Sequence, residues 1–335
     1  MAGERRIDVS IIIVTWNSER YVSRCLESIW KNTRGCSFEV IAVDSGSTDG
    51  TVEAIRRDFP DVRVIPAGAN IGFPKATNRG IRESRGEFLF LLNPDTELGP
   101  GVVERLAGFL RDHPEAGCVS PKIIESDGSV ALFHVREFPN LTNAFFRHFG
   151  LRKLFPRSRV FGRETFGDWD YGDSRSVPCL HGAALMIPRS TMEAVGELDE
   201  QLPLYLEDLD LCARIGKTGK LLYYEPSAAV VHHGGKSSEL SPAQGLLHAM
   251  KDGQAPWLFL KKYRGPSTSA LFVLIVLAGS ALRVCTLGLS HAVSRALHAG
   301  NPAEIKGRCL RARALLDWAL SDKNRFMDGV NRSFR

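Results

Sequence analysis

Carboxylates, amides and histidines recur along the first 240 residues at positions suited to charge neutralisation and proton transfer. Thr15-Trp16-Asn17, Asp44-Ser45-Gly46-Ser47-Thr48-Asp49-Gly50, Asn70-Ile71-Gly72-Phe73 and Asn93-Pro94-Asp95 each follow a short apolar run. Asn or Asp at four successive positions of this kind suits a ligand rich in hydrogen-bonding groups, or a cation. Turn-making and helix capping are the plainer uses of the same residues, and for Ser47 and Asp49 the two readings stand level. Glu207-Asp208-Leu209-Asp210 sets three carboxylates at the start of an expected helix, where the backbone dipole favours the ionised form. Neighbours on a helix differ by about 100°, so the three cannot face one point. Asp210 stands four residues before Arg214, the spacing of a surface ion pair. His232 and His233 end a late strand before Gly234-Gly235-Lys236-Ser237. Adjacent strand residues point to opposite faces, so one imidazole can serve a site while the other does not.

Something must hold these residues together, and the patterning shows what. Val9–Thr15 is a continuous apolar run, the mark of a strand buried on both faces. Tyr21, Cys25, Leu26, Ile29 and Trp30 then recur at helical spacing. Strands are expected at Phe38–Val43, Val62–Ile65 and Phe88–Leu92, with helices at Thr51–Phe59 and Lys75–Ser84 between them. Such alternation implies an α/β fold with a mainly parallel sheet wound by helices, whose ligands sit beyond the carboxyl ends of the strands. Further on, Val102–Leu110 and Asp208–Ile215 read as helices. Cys118–Ile124, Val177–Ile187, Leu221–Tyr224 and Ala228–Val231 read as strands. Residues 133–176, rich in aromatics, Arg, Gly and Asp without a period, read as a long loop able to act as a lid. No GxGxxG follows the first strand and no GxxxxGKS occurs, so dinucleotide and Walker-type sites lack their fingerprints.

The segments VSIIIVTWN, VIAVDSGSTDGT, NIGFPKATNRGI, GEFLFLLNPDTEL, HGAALMIPR, LYLEDLDLCARI and VVHHGGKSS, in that order, resemble the inverting glycosyltransferases of family 2. The resemblance is to the rhamnosyltransferase subgroup of bacterial polysaccharide and cell-wall assembly and covers roughly residues 8–240. It implies a GT-A (Rossmann-like) fold, a nucleotide-diphosphate sugar donor and a divalent metal, Mg2+ or Mn2+. By resemblance, Asp95 is the metal-binding carboxylate of a DxD-type motif in which Asn93 replaces the first acid. Pro94, with its fixed φ, stiffens that motif. His232 lies near the metal or the diphosphate, and imidazole suits Mn2+ better than Mg2+. Asp44 recognises the base, and Thr15, Asn17, Asn70 and Asn78 shape the nucleoside pocket. Gly72 allows close backbone approach. Ser45 departs from the family's usual Asn. Asp208 is the general base that inversion requires, Glu207 positions the acceptor, and His181, Gly182 and Ala183 line the acceptor side, with His181 where Ser is commoner.

The 335 residues carry a formal charge of +5. From Arg283 onward ten basic residues face four acidic ones, leaving the first 282 residues at about −1. A near-neutral body with a basic tail is not the pattern of a nucleic-acid binder. The tail follows an apolar run, Ser267–Leu282, itself preceded by Lys261, Lys262 and Arg264. Sixteen residues fall short of the roughly 20 needed to span a bilayer. The flanking charge fits an interfacial segment, and a buried core helix is the alternative. The expected organisation is a catalytic domain over residues 1–240 and a helical, membrane-directed extension over 241–335. The expected location is the cytoplasmic membrane surface, where a lipid-linked saccharide acceptor lies. Seven cysteines without a CxxC pair fit a reduced compartment, and no secretory-signal pattern opens the chain. Other readings are a polyprenyl-phosphate sugar synthase, and a silent nucleotide-sugar-binding scaffold, which would be expected to lack Asp95 or the Glu207-Asp208 pair.

Overall fold

The computed structural model describes residues 7–233, 244–297, 302–323 and 326. Gly234-Gly235-Lys236-Ser237, the expected domain boundary near residue 240 and residues 298–301, 324–325 and 327–335 of the basic tail lie outside the described residues. The chain forms two compact units. One comprises Met1–Glu137, Trp169–Leu202 and Glu207–Ser237, the other Phe138–Asp168, Pro203–Leu206 and Ser238–Arg335.

The first unit is built on strands β1 (Val9–Thr15), β2 (Phe38–Asp44), β3 (Arg63–Pro66), β4 (Phe88–Leu92), β5 (Thr96–Leu98), β6 (Ala116–Glu125), β7 (Val135–Arg136), β8 (Arg175–Val177), β9 (Cys179–Leu180), β10 (Ala184–Pro188) and β11 (Leu221–His232). Nine of them form one sheet in the order β3-β2-β1-β4-β10-β6-β11-β5, with β8 paired to β11; β7 and β9 pair separately. The β3-β2-β1-β4 half is parallel, as the alternation of strands and helices implies. Beyond it β10 runs antiparallel to β4 and β6, and β5 antiparallel to β11. The sheet is therefore mixed.

The continuous apolar run of β1 is explained by burial on both faces. Ile11 and Ile13 join Val22, Cys25, Leu26 and Ile29 of helix α1 (Glu19–Asn32) in one core. Ile12 points the other way, towards α3 (Phe73–Arg82), where a Cβ at Gly80 would lie 2.5 Å from its Cγ2. Between these helices, α2 (Thr51–Asp58) starts on the same residue that starts α1. Asp49 accepts from the Thr51 N–H through Oδ1 (3.1 Å) and from the Glu19 N–H through Oδ2 (3.2 Å). One carboxylate thus satisfies an orphan donor at two helix starts. Helix α4 (Val102–Asp112) completes the α1-side core.

Two expected elements are corrected. The expected strand Val177–Ile187 breaks at Pro178 and again at His181-Gly182-Ala183, so that it spans the end of β8, β9 and most of β10. The expected short strands Leu221–Tyr224 and Ala228–Val231 are one strand with a register shift between Glu225 and Ala229.

The expected loop 133–176 contains helices α5 (Leu141–His148) and α6 (Leu151–Leu154). Its middle, 138–168, packs in the second unit, not among residues 1–137. Helix α7 (Arg189–Val195) and α8 (Glu207–Lys217) complete the first unit. The second adds α9 (Gln244–Ala249), α10 (Ala255–Arg264), α11 (Pro266–Leu297) and α12 (Pro302–Leu320). Its core gathers Ala144, Leu260, Phe272, Val276, Leu315 and Trp318. Helix α11 extends the apolar run beyond its sequence limits. Pro266–Leu287 has a mean hydropathy of 2.2, long and apolar enough to cross a membrane, and 22 % of it is buried within the protein. One side of it, with Phe272 and Val276, packs in this unit's core.

Candidate active site

The ends of β1, β2 and β3 close over one another through side chains. Asp44 is buried, and its Oδ1 accepts from Thr15 Oγ1 (3.0 Å) and Ser47 Oγ (2.5 Å), its Oδ2 from the Gly46 and Ser47 N–H groups (3.2 and 3.0 Å). Asn17 adopts a left-handed backbone (φ 48°), which Asn tolerates better than most residues. In that turn its N–H donates to Ser47 Oγ (2.9 Å) and its Oδ1 accepts from the Thr48 N–H (2.8 Å). Asn70 Oδ1 accepts from Ser45 Oγ (3.3 Å) and from the Gly72 N–H (3.1 Å). Gly46 has φ +77°, and a Cβ there would meet the Ala69 backbone at 2.6 Å, so the β2 and β3 loops touch through it. Gly72 has φ +83° with open space where a Cβ would sit. Its requirement is the backbone angle that starts α3.

Thr15, Asn17, Asp44, Asn70 and Gly72 therefore form one connected rim. Asn78 stands apart from it. Fully buried on α3, it donates to Leu198 O (2.8 Å) and Glu200 Oε1 (3.1 Å) and accepts from the Leu198 N–H (2.9 Å). Its amide is occupied in holding the segment after α7.

At the end of β4 the chain turns through Asn93-Pro94-Asp95 into β5. Asn93 N–H donates to Ala183 O (3.0 Å), and its carbonyl accepts from Thr96 Oγ1 (2.6 Å). Asp95 Oδ1 lies 3.2 Å from His232 Nε2. The other histidine turns away, as strand alternation requires: His233 Nε2 meets Glu97 Oε1 at 2.7 Å, and its ring stacks on Tyr21 at 6.0 Å. An oxygen and a nitrogen donor thus converge at Asp95 and His232, a pair that fits Mn2+ or Mg2+ when phosphate and water supply the remaining ligands. Among the described residues no group of three or more His, Cys, Asp or Glu forms a protein-only cage.

Asp208 is the second residue of α8 and is buried. Its Oδ1 accepts from the Leu209 N–H (2.7 Å) and its Oδ2 from the Gly182 N–H (3.2 Å), with His181 Nε2 3.9 Å away. Burial pushes its carboxyl above the ordinary range, opposed by the nearby Arg136 guanidinium and the two backbone donors. Glu207 is also buried at the helix start. Asp210 is not the surface partner its spacing suggests. It is buried, and it holds Arg214 Nε (2.8 Å) while Arg214 donates to the Val195 and Gly196 carbonyls (2.8 Å each). The pair fastens α8 to the end of α7.

The break at His181-Gly182-Ala183 joins the two halves of the site. Ala183 O accepts from the Asn93 N–H at the Asn93-Pro94-Asp95 turn, Gly182 N–H donates to Asp208, and His181 N–H donates to His134 O (2.8 Å). His134 and Arg136 escaped the sequence reading. His134 Nε2 lies 2.5 Å from Ser120 Oγ, and burial, with His181 and His232 nearby, holds the imidazole well below its ordinary pKa. Their signal was two basic residues at strand spacing in Phe133-His134-Val135-Arg136. It lay inside a stretch with no larger period.

The pattern of glycosyl transferase family 2 matches residues 10–167. A curated relative is an N-acetylglucosaminyl-diphospho-decaprenol L-rhamnosyltransferase of Mycobacterium tuberculosis, 33 % identical over 264 residues, 75 % of this chain and 83 % of that protein. The chain belongs to glycosyl transferase family 2. A low-salt glycan biosynthesis hexosyltransferase of Haloferax volcanii is 28 % identical over 62 % of this chain and 61 % of its own length. Among solved structures, a mannosyltransferase from Pyrobaculum calidifontis in complex with GDP-Man and Mn2+ superposes with a TM-score of 0.57 at 18 % identity, covering 95 % of this chain and 87 % of that one. That likeness shows the GT-A fold. This family member is a glycosyltransferase, and the catalytic candidates described above all lie in its first compact unit.

Proposed function

We propose that this glycosyltransferase moves a sugar, with inversion, from a nucleotide-diphosphate donor to a hydroxyl of a lipid-linked saccharide, and that the donor is dTDP-rhamnose. The observation that carries the reading is the shared loop. Asn93 N–H to Ala183 O and Gly182 N–H to Asp208 Oδ2 set the diphosphate-side turn and the basic carboxylate one residue apart on a single backbone segment. The relative that acts on N-acetylglucosaminyl-diphospho-decaprenol supplies the substrate class.

In this reading the rim of Thr15, Asn17, Asp44, Asn70 and Gly72 receives the nucleoside, and Asn93 borders the diphosphate. Asp95 and His232 would hold a divalent cation, Mg2+ or Mn2+, which when bound offsets the negative charge of the diphosphate. Asp208 accepts the proton of the acceptor hydroxyl as that oxygen bonds to the anomeric carbon, opposite the departing diphosphate. Glu207, His181, Gly182 and Ala183 orient the acceptor. The raised pKa of Asp208 suits the task, because a stronger base takes a hydroxyl proton more readily. Helix α11 with the cations around it would hold the enzyme at the cytoplasmic membrane face, where a lipid-linked acceptor lies.

Incubating the full chain with N-acetylglucosaminyl-diphospho-polyprenol and a panel of dTDP-, UDP- and GDP-sugars tests this directly. The expected result is a lipid product enlarged by one deoxyhexose from dTDP-rhamnose alone. Transfer from another donor overturns the donor assignment, and transfer to polyprenyl phosphate alone overturns the acceptor assignment.

A further inference from the structure

The segment Leu151–Arg163 (LRKLFPRSRVFGR) holds five basic residues and no acidic one. Leu154, Phe155 and Val160 are exposed by 69, 52 and 58 %, and Lys153, Arg157, Arg159 and Arg163 are exposed around them. Exposed apolar side chains are ordinary singly, but three within seven residues at one turn form a patch.

The turn is also fixed in shape. Gly162 N–H donates to Ser158 O (2.8 Å), and Gly167 N–H to Gly162 O (3.1 Å). A Cβ at either glycine would collide with the Pro156 carbonyl oxygen. Phe161 packs on Phe146 (4.9 Å) and Phe155 (5.4 Å), and Arg152 and Arg147 both hold the buried Glu164. The apolar tip is thus presented by a built scaffold.

Its neighbour within the same unit is α11. Helix α5 ends at His148, where a Cβ on Gly279 of α11 would lie 2.7 Å from the His148 Cβ, and Arg283 donates to the Arg147 carbonyl. The chain then passes directly into the turn. On α11 itself Leu271, Leu274 and Leu282 are exposed.

We infer that the turn 151–163 is a docking element for an anionic bilayer, with Leu154, Phe155 and Val160 entering the headgroup region and Lys153 and Arg157 facing lipid phosphates, while Arg159 holds Asp168 (3.1 Å). The inference rests on the proposed membrane location and adds to it a second contact and a charge preference. An acidic protein surface would match the charge as well. The adjacency to an apolar, largely exposed helix favours lipid.

The test uses the full chain carrying Phe155→Trp, with vesicles of phosphatidylcholine alone or mixed with phosphatidylglycerol. Emission is compared with that of the parent protein to isolate residue 155. The expected result is a blue shift of the added emission, quenched by lipids brominated in the acyl chain, and stronger with phosphatidylglycerol. Lys153→Gln/Arg157→Gln should weaken partitioning onto the anionic vesicles by roughly 30-fold, at about a fivefold factor per cation removed. Unchanged thermal unfolding of that variant shows that its fold is intact. Co-sedimentation with an unmoved residue 155 leaves α11 as the membrane contact and overturns the docking turn. No co-sedimentation at all overturns both the turn and the membrane location.

Discussion

At the scale of single residues the site is a matter of where charge is tolerated. Asp208 is buried with its carboxyl pushed up, and Arg136 is the charge that opposes the shift; His181 and Glu207 lie beside it. A base with a raised pKa must lose its proton before it can act, so the acid limb of kcat/KM is expected above the range of an ordinary carboxylate. Removing Arg136 raises the pKa further. Arg136→Gln should therefore move that limb to higher pH while Arg136→Lys leaves it nearly in place, as a pH–rate profile of the two variants would show. An unmoved limb would separate Arg136 from the base. On the diphosphate side, Asp95→Ala should abolish Mn2+-dependent thermal stabilisation by the cognate nucleoside diphosphate. For a ligand at 100 times its Kd that stabilisation amounts to about 2.7 kcal/mol, or several degrees in Tm.

His148, in the second unit, carries a stability prediction. Its two ring nitrogens are buried without a hydrogen-bond partner. Burial and the Arg147 charge lower its pKa from 6.5 to about 3, with Asp252 opposing and Arg283 and His248 also facing it. The folded state keeps it neutral while the unfolded chain takes up a proton below 6.5, so its contribution is present above pH 6.5 and is lost as pH falls towards 3. The loss amounts to at most about 1.4 kcal/mol per pH unit. His148→Leu should flatten that decline in urea unfolding between pH 6.5 and 4. An unchanged slope would contradict it.

At the scale of elements, the parallel half of the sheet was legible: β1 and β4 are buried on both faces and read as unbroken apolar runs, and the alternation with helices located β2 and β3. β1 and β4 match their sequence limits to the residue. In the other half β6 and β11, which run parallel to each other, were also read nearly in place, but the antiparallel placement of β10 and β5 was not. The break between β9 and β10 is invisible in a segment where Val177, Cys179–Leu180 and Ala183–Ile187 are all apolar, and it is set by pairing with β4 and β7. The helices of 138–154 were hidden because their aromatics are shared among several contacts: Phe145 stacks on Phe149 and meets Phe146 edge-on, and Phe146 meets Phe161 edge-on. The family was legible in the order of its motifs, and the candidate residues follow from that resemblance. Their connection through His181-Gly182-Ala183, the burial of Asp210 and the structural use of Asn78 depend on contacts that spacing does not encode. The rim depends on one glycine. Gly46→Ala forces a Cβ into the Ala69 backbone at a left-handed φ, and should cost at least 1 kcal/mol of stability with weaker nucleotide binding, measured by thermal unfolding and calorimetry. Gly128→Ala shares the left-handed φ but meets no neighbour, so it isolates the backbone cost.

At the scale of the whole molecule, one unit carries the catalytic candidates and the other the apolar helix and the cationic turn, the division that the proposed lipid-linked acceptor calls for. Deprotonation of a hydroxyl acceptor by Asp208 is the central proposal, and the direct measurement is single-turnover sugar transfer by Asp208→Asn with donor binding monitored in parallel. Donor affinity should be retained and transfer should fall about 10²- to 10⁴-fold. Transfer at close to the parent rate would contradict it, and would instead fit an acceptor, such as a lipid phosphate, that needs no base.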